Sequence, residues 1–175
     1  MHVPLLELAW AACPPGRDSP DAYPDCLGPY SPRDLTLRIL PDVVSGYALQ
    51  DDVFACALIA PEGESSRQAD IIFGRLKNFA WKKVRRWLAS PVRPGACLSP
   101  MLGAVVTHEV GHLLLGSNAH SKEGIIRANW GPQALEDAYE GQFGFTPKQV
   151  KRLEAAVRAR SEAEQRSFAS LLAAP

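Results

Sequence analysis

The stretch from Ser99 to Gly116, "SPMLGAVVTHEVGHLLLG", constrains the fold of this chain more than any other. Ser99 and Pro100 offer an N-cap and a first-turn proline, and Gly116 is the residue type that ends a helix in a left-handed turn. Between them, Met101, Leu102, Val105, Val106, Val110, Leu113 and Leu114 make the helix apolar around most of its girth. Such a helix has no broad face to give to water, so it belongs at the centre of a domain with other elements packed around it. The same helix nevertheless carries His108, Glu109 and His112.

The flanking segments supply the surrounding layers. Leu6, Leu8 and Trp10 alternate like a first strand, and a proline-rich stretch from 13 to 33 reads as an irregular loop. "DLTLRILP" alternates as a half-buried strand ended by Pro41, and "DVFACALIAP" is a continuous apolar run expected to be an interior strand. "QADIIFG" can make a further strand. From Phe73 the period changes, with Phe73, Leu76, Ala80, Val84 and Trp87 at helical spacing. Thr146, Pro147 and Gln149 form a capping box for a last helix whose core stripe is expected at Val150, Leu153 and Val157. Strands first and helices afterwards point to one α+β domain over residues 1–175. Its expected parts are a strand and loop (1–33), a sheet (34–73), a backing helix (74–90), the central helix (99–116), a turn region (117–145) and a C-terminal helix (146–172).

Composition narrows the partners. Formal net charge is zero, so no whole-molecule field favours nucleic acid or an anionic membrane. Seven basic residues and no acidic one fall between Arg75 and Arg93, which reads first as a solvated helix face. No apolar run spans a bilayer, and the opening residues lack the basic start of a signal peptide, leaving both a secreted and a cytoplasmic location open. Cys13, Cys26, Cys56 and Cys97 include no C-x-x-C pair, so a zinc knuckle is not expected. Cys13 and Cys26 flank the loop and could be bridged in an oxidising compartment. A monomer is the expected state.

The chemistry lies on the central helix. Residues four apart are turned by about 40° and separated by about 6 Å along the axis, so His108 and His112 project from one face toward one point. Glu109 lies beside the first histidine, where its carboxylate can face a metal-bound water without ligating the metal. A single histidine on an apolar helix is ordinarily a satisfied core residue. Two rings and a carboxylate buried without partners would cost several kcal/mol, a penalty that Zn²⁺ removes. A third protein ligand would leave one position open for water. His120 is the best candidate, because Ser117, Asn118 and Ala119 give the chain room to turn back under the metal.

"HEVGHLLLGSNAHSKEGIIRANW" resembles the active-site segment of metzincin-type zinc metalloproteases, and most of all short bacterial zincins. The match is specific over His108–Arg127 and looser over Leu35–Arg158. The resemblance implies a zincin-like fold, with a twisted, mostly parallel sheet packed on a backing helix and a central zinc helix. It departs from the common metzincin pattern in placing Gly116 eight and His120 twelve residues after His108, rather than seven and ten. Ile126 stands where the family has the methionine of its Met-turn, an expected apolar floor beneath the metal. The expected function is that of a zinc metallopeptidase with Zn²⁺ on His108, His112 and His120 and Glu109 as general base. A peptide or protein substrate would lie along a sheet edge, with the strand of Gln68–Phe73 as one candidate. Neither a nucleic acid nor a membrane is an expected partner. The rival reading is a non-catalytic zinc-binding protein acting through the basic helix.

Overall fold

The computed structural model describes residues 33–42, 53–61, 66–81 and 94–172. The expected first strand, the Cys13–Cys26 bridge and most of the basic segment lie outside them. The described residues form an α+β arrangement of one three-stranded sheet and four helices: β1 (Thr36–Leu40), β2 (Ala55–Leu58), β3 (Gln68–Ile72), α1 (Phe73–Phe79), α2 (Pro94–Leu115), α3 (Pro132–Tyr139) and α4 (Pro147–Leu172).

The strand order is β1-β3-β2. β1 runs parallel to β3, with Leu37 opposite Ala69 and Ile39 opposite Ile71. β2 runs antiparallel to it, with Ala57 opposite Ala69 and Ala55 opposite Ile71. The sheet is therefore mixed rather than mostly parallel. Two expectations exchange places here. β3 is paired on both sides and cannot receive a substrate strand, whereas β2, expected inside, is an edge among the described residues. Its apolar run is explained by what it packs on: Ala57 joins Ala69 and Leu113 in one buried cluster, and Ala55 packs on another. Across β1 and β3, Arg38 donates from Nε and Nη2 to the two carboxylate oxygens of buried Asp70, at 2.7 and 2.6 Å. The fork geometry of guanidinium and carboxylate gives this register a polar lock beside its apolar contacts.

α2 runs through the centre, as its composition requires. Met101 and Val105 pack with Ile71, Leu76, Ala80 and Leu135, and Ala104 meets Ile125, Ile126 and Ala138. The helix starts at Pro94, five residues before the expected Ser99 cap, and takes Pro100 into its interior. Its other end follows expectation. Gly116 has φ +60°, its N–H reaches the Leu113 carbonyl at 3.3 Å, and the Ser117 N–H reaches that of His112 at 3.2 Å. These are the paired bonds of a Schellman turn.

Residues 117–145, expected to be turns throughout, contain α3, which Pro132 opens and which buries Ala134, Leu135 and Ala138. The capping box of α4 is formed: the Thr146 N–H donates to Gln149 Oε1 at 2.8 Å and the Gln149 N–H to Thr146 Oγ1 at 3.3 Å. The inward face of α4 is more polar than the expected stripe. Leu153 is buried, but so is Gln149, and Arg160 donates to the carbonyls of Ser66 and Leu113. No helix among the described residues is long and apolar enough to cross a membrane.

Candidate metal centre

His108 and His112 leave α2 one turn apart and are both buried. Each ring is oriented by a backbone carbonyl. His108 Nδ1 lies 2.6 Å from the Ile125 oxygen and His112 Nδ1 lies 2.7 Å from the Ser117 oxygen. A carbonyl only accepts, so each Nδ1 carries the proton and each neutral ring keeps its lone pair on Nε2. Those two Nε2 atoms face each other at 2.9 Å. Two lone pairs at that distance repel unless a proton or a cation lies between them.

A proton is disfavoured there. Burial pushes His108 down from 6.5 to about 4, with smaller contributions from the neighbouring His112 and His120, while the bond to Ile125 opposes the shift. Burial lowers His112 as well. A cation would satisfy both acceptors at once. The Schellman turn then brings exposed His120 to the pair, with ring centroids 5.3 Å from His108 and 4.8 Å from His112. One ligand nitrogen from each of the three rings lies within 4.8 Å of the others, so the three could hold a metal ion. The structure brings together the three histidines singled out in the sequence, while Glu136 and Glu140, on and after α3, are exposed. A set of three imidazoles fits a divalent transition metal and leaves coordination positions open.

Glu109 shares the cleft with the histidines, on the side where β2 passes. It is buried, and burial raises its carboxyl from 4.5 to about 7 against the opposing effect of a hydrogen bond from the Ala57 N–H of β2. His108, His112, His120 and Glu109 together line one cleft of about 500 Å³. β2 forms one wall with Phe54, Ala55, Cys56 and Ala57, and Phe79, Val105, Trp130 and Leu135 add apolar surface. Burial, then the carboxylates of Glu109 and Asp70, push the Cys56 thiol up. Trp130 stands edge-on to His108 with centroids 5.8 Å apart and is fixed by its Nε1–H, which donates to the Arg127 carbonyl at 3.1 Å.

Ile126 is buried, and its side chain packs where a Cβ on Gly111 would lie, at 2.5 Å. Its neighbour Ile125 bonds His108 through its carbonyl. The carbonyls of 117 and 125 are the orienting groups that sequence reasoning missed, and they carry no residue-type signal. Gln149 had one: it was legible as a capping residue, but its side chain also reaches the loop after His120. Set beside known proteins, the chain matches no family model, no curated protein and no solved structure.

Proposed function

We propose that this chain is a zinc-dependent peptidase of zincin type, with Zn²⁺ held by His108, His112 and His120. The observation that carries the reading is the pair of buried Nε2 lone pairs meeting at 2.9 Å with a protonation-poised glutamate next to them in the same cleft. When bound, the zinc supplies Lewis acidity, activating water near neutral pH and polarising a carbonyl.

The protein's own groups do the rest. Glu109, at about 7 without a metal, sits in the range where a carboxylate can both take and return a proton. A cation on the adjacent histidines would draw that value down and favour the ionised base. Glu109 accepts a proton from water in the cleft and passes it to the departing amine. The Ile125 and Ser117 carbonyls hold the two rings in one tautomer throughout. β2 offers an edge along which an extended peptide can lie, and Phe54, Phe79, Val105, Trp130 and Leu135 form an apolar recess beside it. A purely structural metal site has no use for a buried carboxylate poised in this way, and the intact Glu109 favours hydrolysis.

The test is metal analysis of the purified protein followed by a peptide-library digest with and without chelator. One zinc per chain and chelator-sensitive cleavage are expected. His120→Ala should weaken zinc binding as His108→Ala and His112→Ala do. Glu109→Gln should keep the zinc and lose about a hundredfold to ten-thousandfold in turnover. Zinc binding without cleavage of any peptide, or equal turnover by Glu109→Gln, would overturn the peptidase reading. Full zinc affinity in His120→Ala with loss in Glu136 or Glu140 variants would overturn the ligand set.

A further inference from the structure

We infer that Gln149, the capping residue of α4, is a positioning residue for the metal centre. It acts through the loop that carries His120 at one end and the Ile125 carbonyl at the other. The role rests on the metal reading proposed above, and it concerns a residue that touches none of the three histidines.

Three bonds of the Gln149 side chain define it. Oε1 accepts from the Thr146 N–H at 2.8 Å, which is its capping bond. Nε2 donates to Ser121 Oγ at 2.8 Å and to the Glu123 carbonyl at 3.0 Å. Helix capping needs only the oxygen, so the amide nitrogen is free to serve the loop. Both acceptors are well placed for that. Ser121 follows His120 directly, and Glu123 lies two residues before Ile125, whose carbonyl orients His108. Ser121 Oγ itself donates to the Glu123 carbonyl at 2.5 Å, and the Ser121 N–H donates to that of Ile126 at 2.9 Å. The segment is thus closed on itself and pinned to the start of α4.

Burial and shape point the same way. Gln149 is only 6% exposed, so its amide is largely shielded from solvent. Gly124 has φ +67°, and a Cβ there would lie 2.5 Å from Gln149 Oε1 and 3.2 Å from the Gly144 carbonyl. The Ile125 N–H donates to that same Gly144 carbonyl at 2.9 Å, so residue 125 is held from both its neighbours and its own N–H. If Gln149 releases Glu123, the Ile125 oxygen loses its fixed place. The His108 tautomer that leaves Nε2 unprotonated is then no longer enforced.

The experiment uses the full chain and two measurements. Metal affinity is read with Co²⁺ and Zn²⁺ against a chromophoric chelator near neutral pH. The His108 tautomer is read by ¹⁵N NMR of the ring in the metal-free protein. Gln149→Glu keeps an oxygen for the Thr146 N–H and removes both donors to the loop. It is expected to lose about tenfold to a hundredfold in metal affinity and to show His108 as a tautomer mixture. Thr146→Ala removes the other half of the capping box and leaves the Gln149 side-chain bonds. It should melt earlier than wild type with unchanged metal affinity and an Nδ1-protonated His108. Ser121→Ala is a milder cut of the same link, useful if Gln149→Glu does not fold, and should lose affinity in the same direction. Wild-type affinity and tautomer in Gln149→Glu or Ser121→Ala would overturn the role, as would equal affinity losses in Thr146→Ala and Gln149→Glu. Wild type that binds no metal but shows the expected tautomer changes would instead overturn the metal reading and leave the positioning of His108 standing.

Discussion

Adjacent residues 108 and 109 are pushed by burial in opposite directions on the pH scale, His108 to about 4 and Glu109 to about 7. Both shifts favour the neutral form, and they have opposite consequences for stability in the metal-free protein. The folded value of Glu109 lies above its ordinary 4.5, so between about pH 4.5 and 7 the folded chain holds more proton there than the unfolded one. Its contribution to stability is present at the acid end of that window and is lost as pH rises through it. For His108 the folded value lies below 6.5, so stability is lost as pH falls from 6.5 toward 4. Replacing Glu109 by Gln isolates the first effect. In excess chelator, the unfolding free energy of Glu109→Gln minus that of wild type should grow by about 3 kcal/mol from pH 4 to pH 8. Urea denaturation at a series of pH values measures it. A difference that stays flat across the series would mean that the Glu109 carboxylate is open to water, and with that its standing as a poised base would go.

The ends of the elements hold the three histidines as much as their faces do. At Gly116, φ is +60° and nothing lies within 4 Å of where a Cβ would be. A substitution there meets only the backbone cost of the left-handed region, about 1–2 kcal/mol for alanine and less for asparagine. Because the Ser117 carbonyl holds His112 Nδ1, the same substitution should also weaken metal binding. Thermal melts and Co²⁺ titration of Gly116→Ala and Gly116→Asn check both effects, and an alanine variant as stable as wild type would mean the helix does not need this turn. Features of this local kind were legible in the sequence. The helix end needs a glycine, the α4 cap needs Thr and Gln three apart, and the paired histidines need a spacing of four. Features decided by tertiary pairing were not. β2 and β3 are both short and apolar, and only their pairing puts β3 in the middle and β2 on the edge among the described residues. Ser99-Pro100 carries every mark of a helix start, yet the chain is already helical from Pro94. The inward polar side chains of α4, Gln149 and Arg160, look like surface residues until the carbonyls they serve are placed.

At the scale of the whole molecule, four of the described segments, α2, the loop after it, α4 and β2, have ties to one point. α2 gives two histidines, and its C-terminal turn leads to the third. The following loop gives the Ile125 carbonyl, α4 holds that loop through Gln149, and β2 meets Glu109 through the Ala57 N–H. At this point two buried ring nitrogens lie 2.9 Å apart beside a buried carboxyl. A cation that binds the folded chain and finds no such arrangement in the unfolded one therefore stabilises the entire domain. At a free-metal concentration a thousand times the dissociation constant, the gain is about 4 kcal/mol. For a chain of this size that corresponds to a rise in Tm of about 10 °C. Melting with saturating Zn²⁺ and with excess chelator should show that separation. His120→Ala, which removes an exposed ligand and leaves the buried pair, should close much of the gap by lowering the zinc-bound Tm while leaving the chelated one nearly unchanged. Identical melting temperatures with and without Zn²⁺ in the wild type would mean that the three histidines take no metal in the folded chain, and the proposed chemistry would fall with them.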